Sequence, residues 1–224
     1  RLADSEKRPN VADGNKIEPA PTVVSLADVR SAAPRVPEHG RIRMGMMGVS
    51  SKGKPIPTST TEWRLTSTDR QALDVLAGIY GGEVKAWRNA KANPPDQFEL
   101  LTATDTLKVL LPRDSLSIWY EQWTGGGCAR RCDGEHCEIP APGGDSMQVT
   151  ACLCMKQGQM QCKPYTRLNV IFPEVEFGGY WRMETKGWNA MRELPAMEEI
   201  LSQLRAVGII QAKLILEQRQ SQGG

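Results

Sequence analysis

Apolar positions along this chain recur with two periods, and the switches between them mark its elements. GRIRMGMMGVSS, residues 40–51, alternates as a strand does, and SKGKPIPTS, residues 51–59, reads as a turn. TTEWRLTS, residues 60–67, alternates again, so residues 40–67 read as a β-hairpin with a long loop. The next stretch, TSTDRQALDVLAGIYGG, changes to helical spacing. Ser67 or Thr68 is placed to cap it, Asp69 lies in its first turn, and Leu73, Leu76, Ala77 and Tyr80 form its apolar stripe. Gly81 and Gly82 stop it.

EVKAW, QFELLTA, TLKVLLP and SLSIWYEQW then read as strands, and TRLNVIFP with YWRMETK as a further strand pair. A helix is predicted from about Asn189 to Ala206, with a break or restart at Pro195. IIQAKLILEQR alternates like a final strand, although AKLILEQRQ also suits a helix. Strands that mostly neighbour one another, without an internal repeat, favour an α+β fold over a doubly wound one. The expectation is a mixed or mostly antiparallel sheet with two or three helices.

Residues 1–38 are rich in Pro, Asp, Asn, Ala and charge, too polar to bury the surface that would offset ordering entropy. They read as a flexible N-terminal arm, with Val23, Val24, Leu26 and Val29 as docking points. Residues 39–220 read as a single α+β domain. The 224-residue chain is 40% hydrophobic and 24% charged, ordinary for a globular protein. A net charge of +2 is far from the basic excess of a protein that grips nucleic acid alone. No apolar run is long enough to span a bilayer and no signal peptide is apparent, so the expectation is a cytoplasmic protein with no membrane contact.

All six cysteines lie between Cys128 and Cys162, in GGGCARRCDGEHC and ACLCMKQGQMQC. Two thiol groups joined by a loop suit a tetrahedral metal, and zinc favours Cys ligands in a closed structural site. Residues 125–163 therefore read as an inserted, zinc-knuckle-like segment. Cys128 and Cys132 offer one pair, and Cys154 and Cys162 the other. Cys152 stands two residues from Cys154, so it shares a face with it in extended chain. Cys137 and His136 complete seven candidates for four positions. The competing reading is a set of free or disulfide-bonded thiols.

Little else carries chemistry. His39 reads as a solvated residue at the arm boundary. No nucleophile elbow, HExxH helix, phosphate-binding loop or dinucleotide fingerprint occurs. Arg130 and Arg131 read as charge compensation for a zinc–thiolate centre or as contacts for an acidic partner. Trp119, Tyr120 and Trp123 cannot all face inward, which makes Trp119 or Trp123 a candidate partner anchor.

The run LSIWYEQWTGGGCARRCDGEHC, followed by CLC, CKPYTRLNVIFPEV and GYWRMETKGWNAMREL, resembles the large-type recombination directionality factors of actinophages. These are accessory proteins of large serine integrases. The shared features fall at Trp119–Gly134, Cys152–Cys154, Cys162–Leu168 and Trp181–Gly187, with weaker likeness at Gly40–Gly45 and Asp69–Tyr80. Met155 stands where that family usually has Pro. Cys128, Cys132, Cys154 and Cys162 match family positions and rank first as ligands, Cys152 next, with Cys137 and His136 after.

The resemblance implies a regulator and not an enzyme. Such a factor binds the integrase near its coiled-coil arm on the zinc-binding domain, activates prophage excision at hybrid attachment sites and inhibits integration. It would touch DNA only through the integrase and take no small-molecule substrate. The alternatives are a zinc-ribbon nucleic-acid-binding protein and a metal-dependent hydrolase.

Overall fold

The computed structural model describes residues 36–88, 96–141, 147–204 and 208–218. All of these residues fall within one compact unit. The expected arm, apart from residues 36–38, lies outside the described residues.

The elements run β1 (Glu38–Val49), β2 (Pro55–Ser67), α1 (Arg70–Tyr80), β3 (Val84–Arg88), β4 (Asp96–Leu101) and β5 (Thr106–Leu111). Then come β6 (Leu116–Thr124), β7 (Gly127–Cys132), β8 (His136–Pro140), β9 (Met147–Ala151) and α2 (Leu153–Gln157). The chain continues through β10 (Lys163–Val170), β11 (Tyr180–Thr185), α3 (Trp188–Leu204) and β12 (Ile210–Ile215). Ten strands form one sheet in the order β3-β4-β2-β1-β11-β10-β6-β7-β8-β9, and β12 pairs with β5 in a second. Only β1 with β11 is parallel among the described pairings. The fold is α+β with a mostly antiparallel sheet and three helices.

Register explains where the core lies. Residues directly opposite one another share a face of the sheet. Val84, Leu100, Leu65, Ile42, Met183, Leu168 and Leu116 follow one another across seven strands as one apolar row. The neighbouring row runs Lys85, Glu99, Thr66, Arg41, Arg182 and Asn169 on the other face. So one face is apolar and the other charged. Ala72, Leu73, Leu76 and Tyr80 of α1, Leu201 of α3, and Leu107, Val109 and Leu111 of β5 share a single buried cluster with the apolar row. Phe172 stands edge-on to Trp181 at 5.2 Å within it. Burying each such Leu contributes about 1.5–3 kcal/mol.

Several expectations change. Asp69, and not Ser67 or Thr68, caps α1: its Oδ1 accepts from the Ala72 amide at 3.0 Å. His39 is not solvated. Its side chain is 11% exposed, its Nε2 lies 2.9 Å from Asp69 Oδ2, and its ring stacks near Trp181. The first hairpin turns within residues 50–54, closed by Ser50 N–H to Lys54 O and Gly53 N–H to Ser50 O, and the strand resumes at Pro55. α3 runs as one helix through Pro195, which leaves the Met191 carbonyl without its helical N–H donor. The ambiguous 209–219 stretch yields the strand β12, because β5 offers its edge. Among the tryptophans, Trp63 and Trp181 are buried, whereas Trp123 and Trp188 are exposed. The cysteine segment does not form a separate knuckle. It lengthens the main sheet as β7, β8 and β9, then turns through α2.

Candidate functional site

The cysteine segment folds because its thiols replace the aliphatics it lacks. Cys132, Cys137, Cys152 and Cys162 are all buried and form a second core with Tyr120, Ile139, Leu153 and Cys154 around them. The β7–β8 hairpin sets Cys132 opposite Cys137. The Asp133 carboxylate closes the turn by accepting from the Glu135 and His136 amides. Cys152 precedes α2, and Gly158 ends it in a left-handed conformation (φ 61°), so the chain doubles back to Cys162.

The sulfurs stand in two pairs. Cys152 and Cys132 are 3.9 Å apart, and Cys154 and Cys162 are 3.7 Å apart. Zinc–thiolate bonds of about 2.3 Å set the edges of a tetrahedron at about 3.8 Å, so each pair has the spacing of such an edge. Among the described residues, no group of three or more His, Cys, Asp or Glu is arranged to hold a metal ion. The donors match zinc in type and in pair spacing, but the described arrangement does not bring the two pairs onto one ion.

Arg130 is the unusual member. It is 6% exposed, yet among the described residues it has no carboxylate partner. Its Nη2 donates to Cys154 Sγ at 3.6 Å and to Gln161 Oε1 at 2.9 Å, and its Nε has no partner. A buried guanidinium is costly without a counter-charge, and thiolates are the groups within reach to supply one. Burial pushes the Cys132 thiol up to about 12. At Cys154 burial also raises the value, but the Gln161 and Cys162 amides, Cys162 and Arg130 outweigh it and bring the thiol below its ordinary range.

Not all of the expected ligands gather here. Cys128 is half-buried and lies opposite Trp123, with its Sγ against the Arg130 carbonyl. A bulge between Gln122 and Trp123 shifts the β6–β7 register by one residue, which turns Cys128 to the face opposite Cys132. Cys137 occupies the buried position instead. His136 is exposed and faces Asp133 at 3.5 Å. Arg130, read either as charge compensation or as a partner contact, points inward beside the thiols, while Arg131 is exposed, paired with Glu138 at 2.6 Å and stacked over Trp119 at 4.8 Å. Trp123 is 52% exposed, its indole N–H held by Glu121 at 2.7 Å. Sequence reasoning missed the buried Glu121 and its half-buried partner Arg167, which lie beside Trp123. Their types alternated with aromatics along β6 and β10, but nothing in either strand named the other.

Residues 39–223 match the family model Gp3-like, described as recombination directionality factor-like. The chain belongs to this family. It is a family of recombination factors and not of enzymes. No solved structure matches the chain. No helix among the described residues is long and apolar enough to cross a membrane.

Proposed function

We propose that this chain directs a large serine integrase toward excision. It binds the integrase in the bacterial cytoplasm, at the coiled-coil and zinc-domain region. It favours the integrase arrangement productive on hybrid attachment sites, disfavours integration, and meets DNA only through the integrase. The family match across residues 39–223 is the observation that carries this reading. The modest net charge of +2 and the exposed Trp123 agree with a protein partner. Thermodynamically such a factor acts by binding one integrase conformation more tightly than the others.

The thiol core would serve as scaffold. Cys132, Cys152, Cys154 and Cys162 would hold a structural zinc, which supplies folding energy and no reaction chemistry. Arg130 would offset the negative charge of four thiolates. The two pair distances and the buried, carboxylate-free guanidinium support this role.

The deciding experiment mixes the purified protein with the serine integrase of the same phage and DNA carrying the hybrid sites. Excision should require the protein, and integration on the unrecombined sites should fall when it is added. Excision that proceeds equally without it would overturn the proposal.

A further inference from the structure

The charged face of the sheet carries a cavity of about 530 Å³ lined by Arg41, Arg43, Arg64 and Arg182, with Trp87 at its side and one carboxylate, Glu184, which is paired with Arg167 at 3.5 Å. Register makes this convergence unavoidable. Arg43 lies opposite Arg64, Arg41 lies opposite Arg182, and β1 and β2 are adjacent strands. Three of the four guanidinia have carboxylates. Arg41 and Arg182 share Glu38, at 2.5 and 3.2 Å, and Arg64 holds Glu99 at 2.6 Å. Arg43 has none among the described residues. It donates only to Thr66 Oγ1 at 3.2 Å and stands over the Trp87 ring at 5.3 Å, as Arg64 does at 4.6 Å. Burial, with Arg41 and Arg64 adding to it, presses the Arg43 guanidinium below its ordinary range, and the opposing pull of Glu38 and Glu184 only partly offsets this. An incoming anion would relieve that crowding.

The rim of the cavity is of a different kind. Beyond Arg43, β1 leaves β11 and pairs only with β2 among the described strands, as a free two-stranded ribbon. Met44, Met46 and Met47 line the cavity from this ribbon, and all three are exposed, as are Val49 and Ile56 further out. Methionine adapts its shape to a partner, and Met and Arg are both enriched in protein interfaces. A phosphate backbone would use the arginines but gain nothing from an apolar methionine rim.

We propose that this arginine pocket and its methionine rim form a docking site for an acidic protein segment, one with a carboxylate flanked by apolar side chains. The carboxylate would enter beside Arg43, and its apolar neighbours would lie along Met46 and Met47. The inference rests on the integrase-binding reading above and assigns the surface that reading leaves open.

The test measures binding of the full chain to the immobilised integrase at low and at moderate salt. Arg43→Glu should weaken binding by about tenfold or more, with most of the loss erased at the higher salt. The double variant M46S/M47S should weaken it at both salts, and Lys213→Glu, on the far strand β12, should leave it unchanged. Thermal melts of each variant check folding, and Arg43→Gln, which removes the charge but keeps a donor for Thr66, replaces Arg43→Glu if the latter unfolds. Wild-type binding that both pocket variants retain in full would overturn this inference alone. Failure of the wild type to bind integrase would overturn it together with the proposed function. Pocket variants that lose binding to free attachment-site duplex, while still binding integrase, would make nucleic acid the occupant and overturn the assignment to a protein.

Discussion

Arg167 grips Glu121 through two parallel hydrogen bonds of 2.6 and 2.7 Å, one to each carboxylate oxygen. The pair ties β10 to β6, and the same carboxylate receives the Trp123 indole N–H. Glu121 is 4% exposed, so the bonds form where water competes little. Removing one partner of a buried pair leaves the other uncompensated and costs about 3–5 kcal/mol. Arg167→Met should lower unfolding stability by that order in a denaturant titration, and Trp123 fluorescence should change with it. A variant as stable as the wild type would show that the clamp contributes nothing net.

The same pair sets an acid limit. Burial alone would raise the Glu121 pKa, but Arg167 and Trp123 outweigh it and hold the carboxyl below its ordinary value. A depressed folded value means that the stabilisation is complete above the unfolded carboxyl range and is lost as pH falls through the folded value. Stability measured against pH should therefore decline on the acid side, and Glu121→Gln should flatten part of that decline. An unchanged acid limb would assign it to other carboxylates.

The cap of α1 offers a second carboxylate. His39 holds the Asp69 carboxyl down first, with the Ala72 amide next. Asp69→Ala removes both contacts and should cost about 1 kcal/mol, while Asp69→Asn, which keeps an acceptor for the amide, should cost less. Urea midpoints of the two variants would separate the cap from the His39 contact. Equal losses would mean that the amide bond carries nothing.

Zinc content distinguishes the thiols. Cys132→Ser and Cys162→Ser should purify with markedly less zinc than wild type and melt at lower temperature, and a chelator should lower the wild-type melting point. Cys128→Ser, on the opposite face, should keep a full complement. Metal analysis of the purified proteins reads this directly. Zinc lost only from Cys128→Ser would reverse the pairing, and a metal-free wild type would leave the thiols as a buried core.

Glycine at 82 has φ 95°, and a Cβ there would lie 2.0 Å from the Leu101 carbonyl. Gly82→Ala should therefore destabilise by more than the about 1 kcal/mol that helix propensity would recover elsewhere. A thermal melt suffices to check it.

Much of α1 was legible in the chain, because its stripe, its cap region and its glycine stop all lie within a few residues of each other. The strands with period-two alternation were legible for the same reason. What the sequence withheld were relationships between distant residues. The β6–β7 bulge that turns Cys128 away depends on how two strands align, and no spacing within CARRC reveals it. The strands β7 and β8 are poor in the aliphatics that announce a strand, since Cys132 and Cys137 supply much of their buried side. His39 read as solvated because Asp69 and Trp181, which enclose it, lie far along the chain. Cys137 ranked low for want of family likeness and yet is almost fully enclosed.

The parallel pairing of β1 with β11 also governs how the protein is made. The first strand leaves the ribosome long before its neighbour, so Gly40 must wait unpaired on one edge until Trp181 is synthesised. Meanwhile β2, β4, β3 and α1 can already assemble around Leu65, Leu73 and Leu100. The charged row that meets Arg182 and the apolar row that meets Met183 are both completed only when β11 pairs with β1. Such long-range closure is slow compared with local pairing. A nascent chain that stalls before β11 would present an open strand edge to its neighbours.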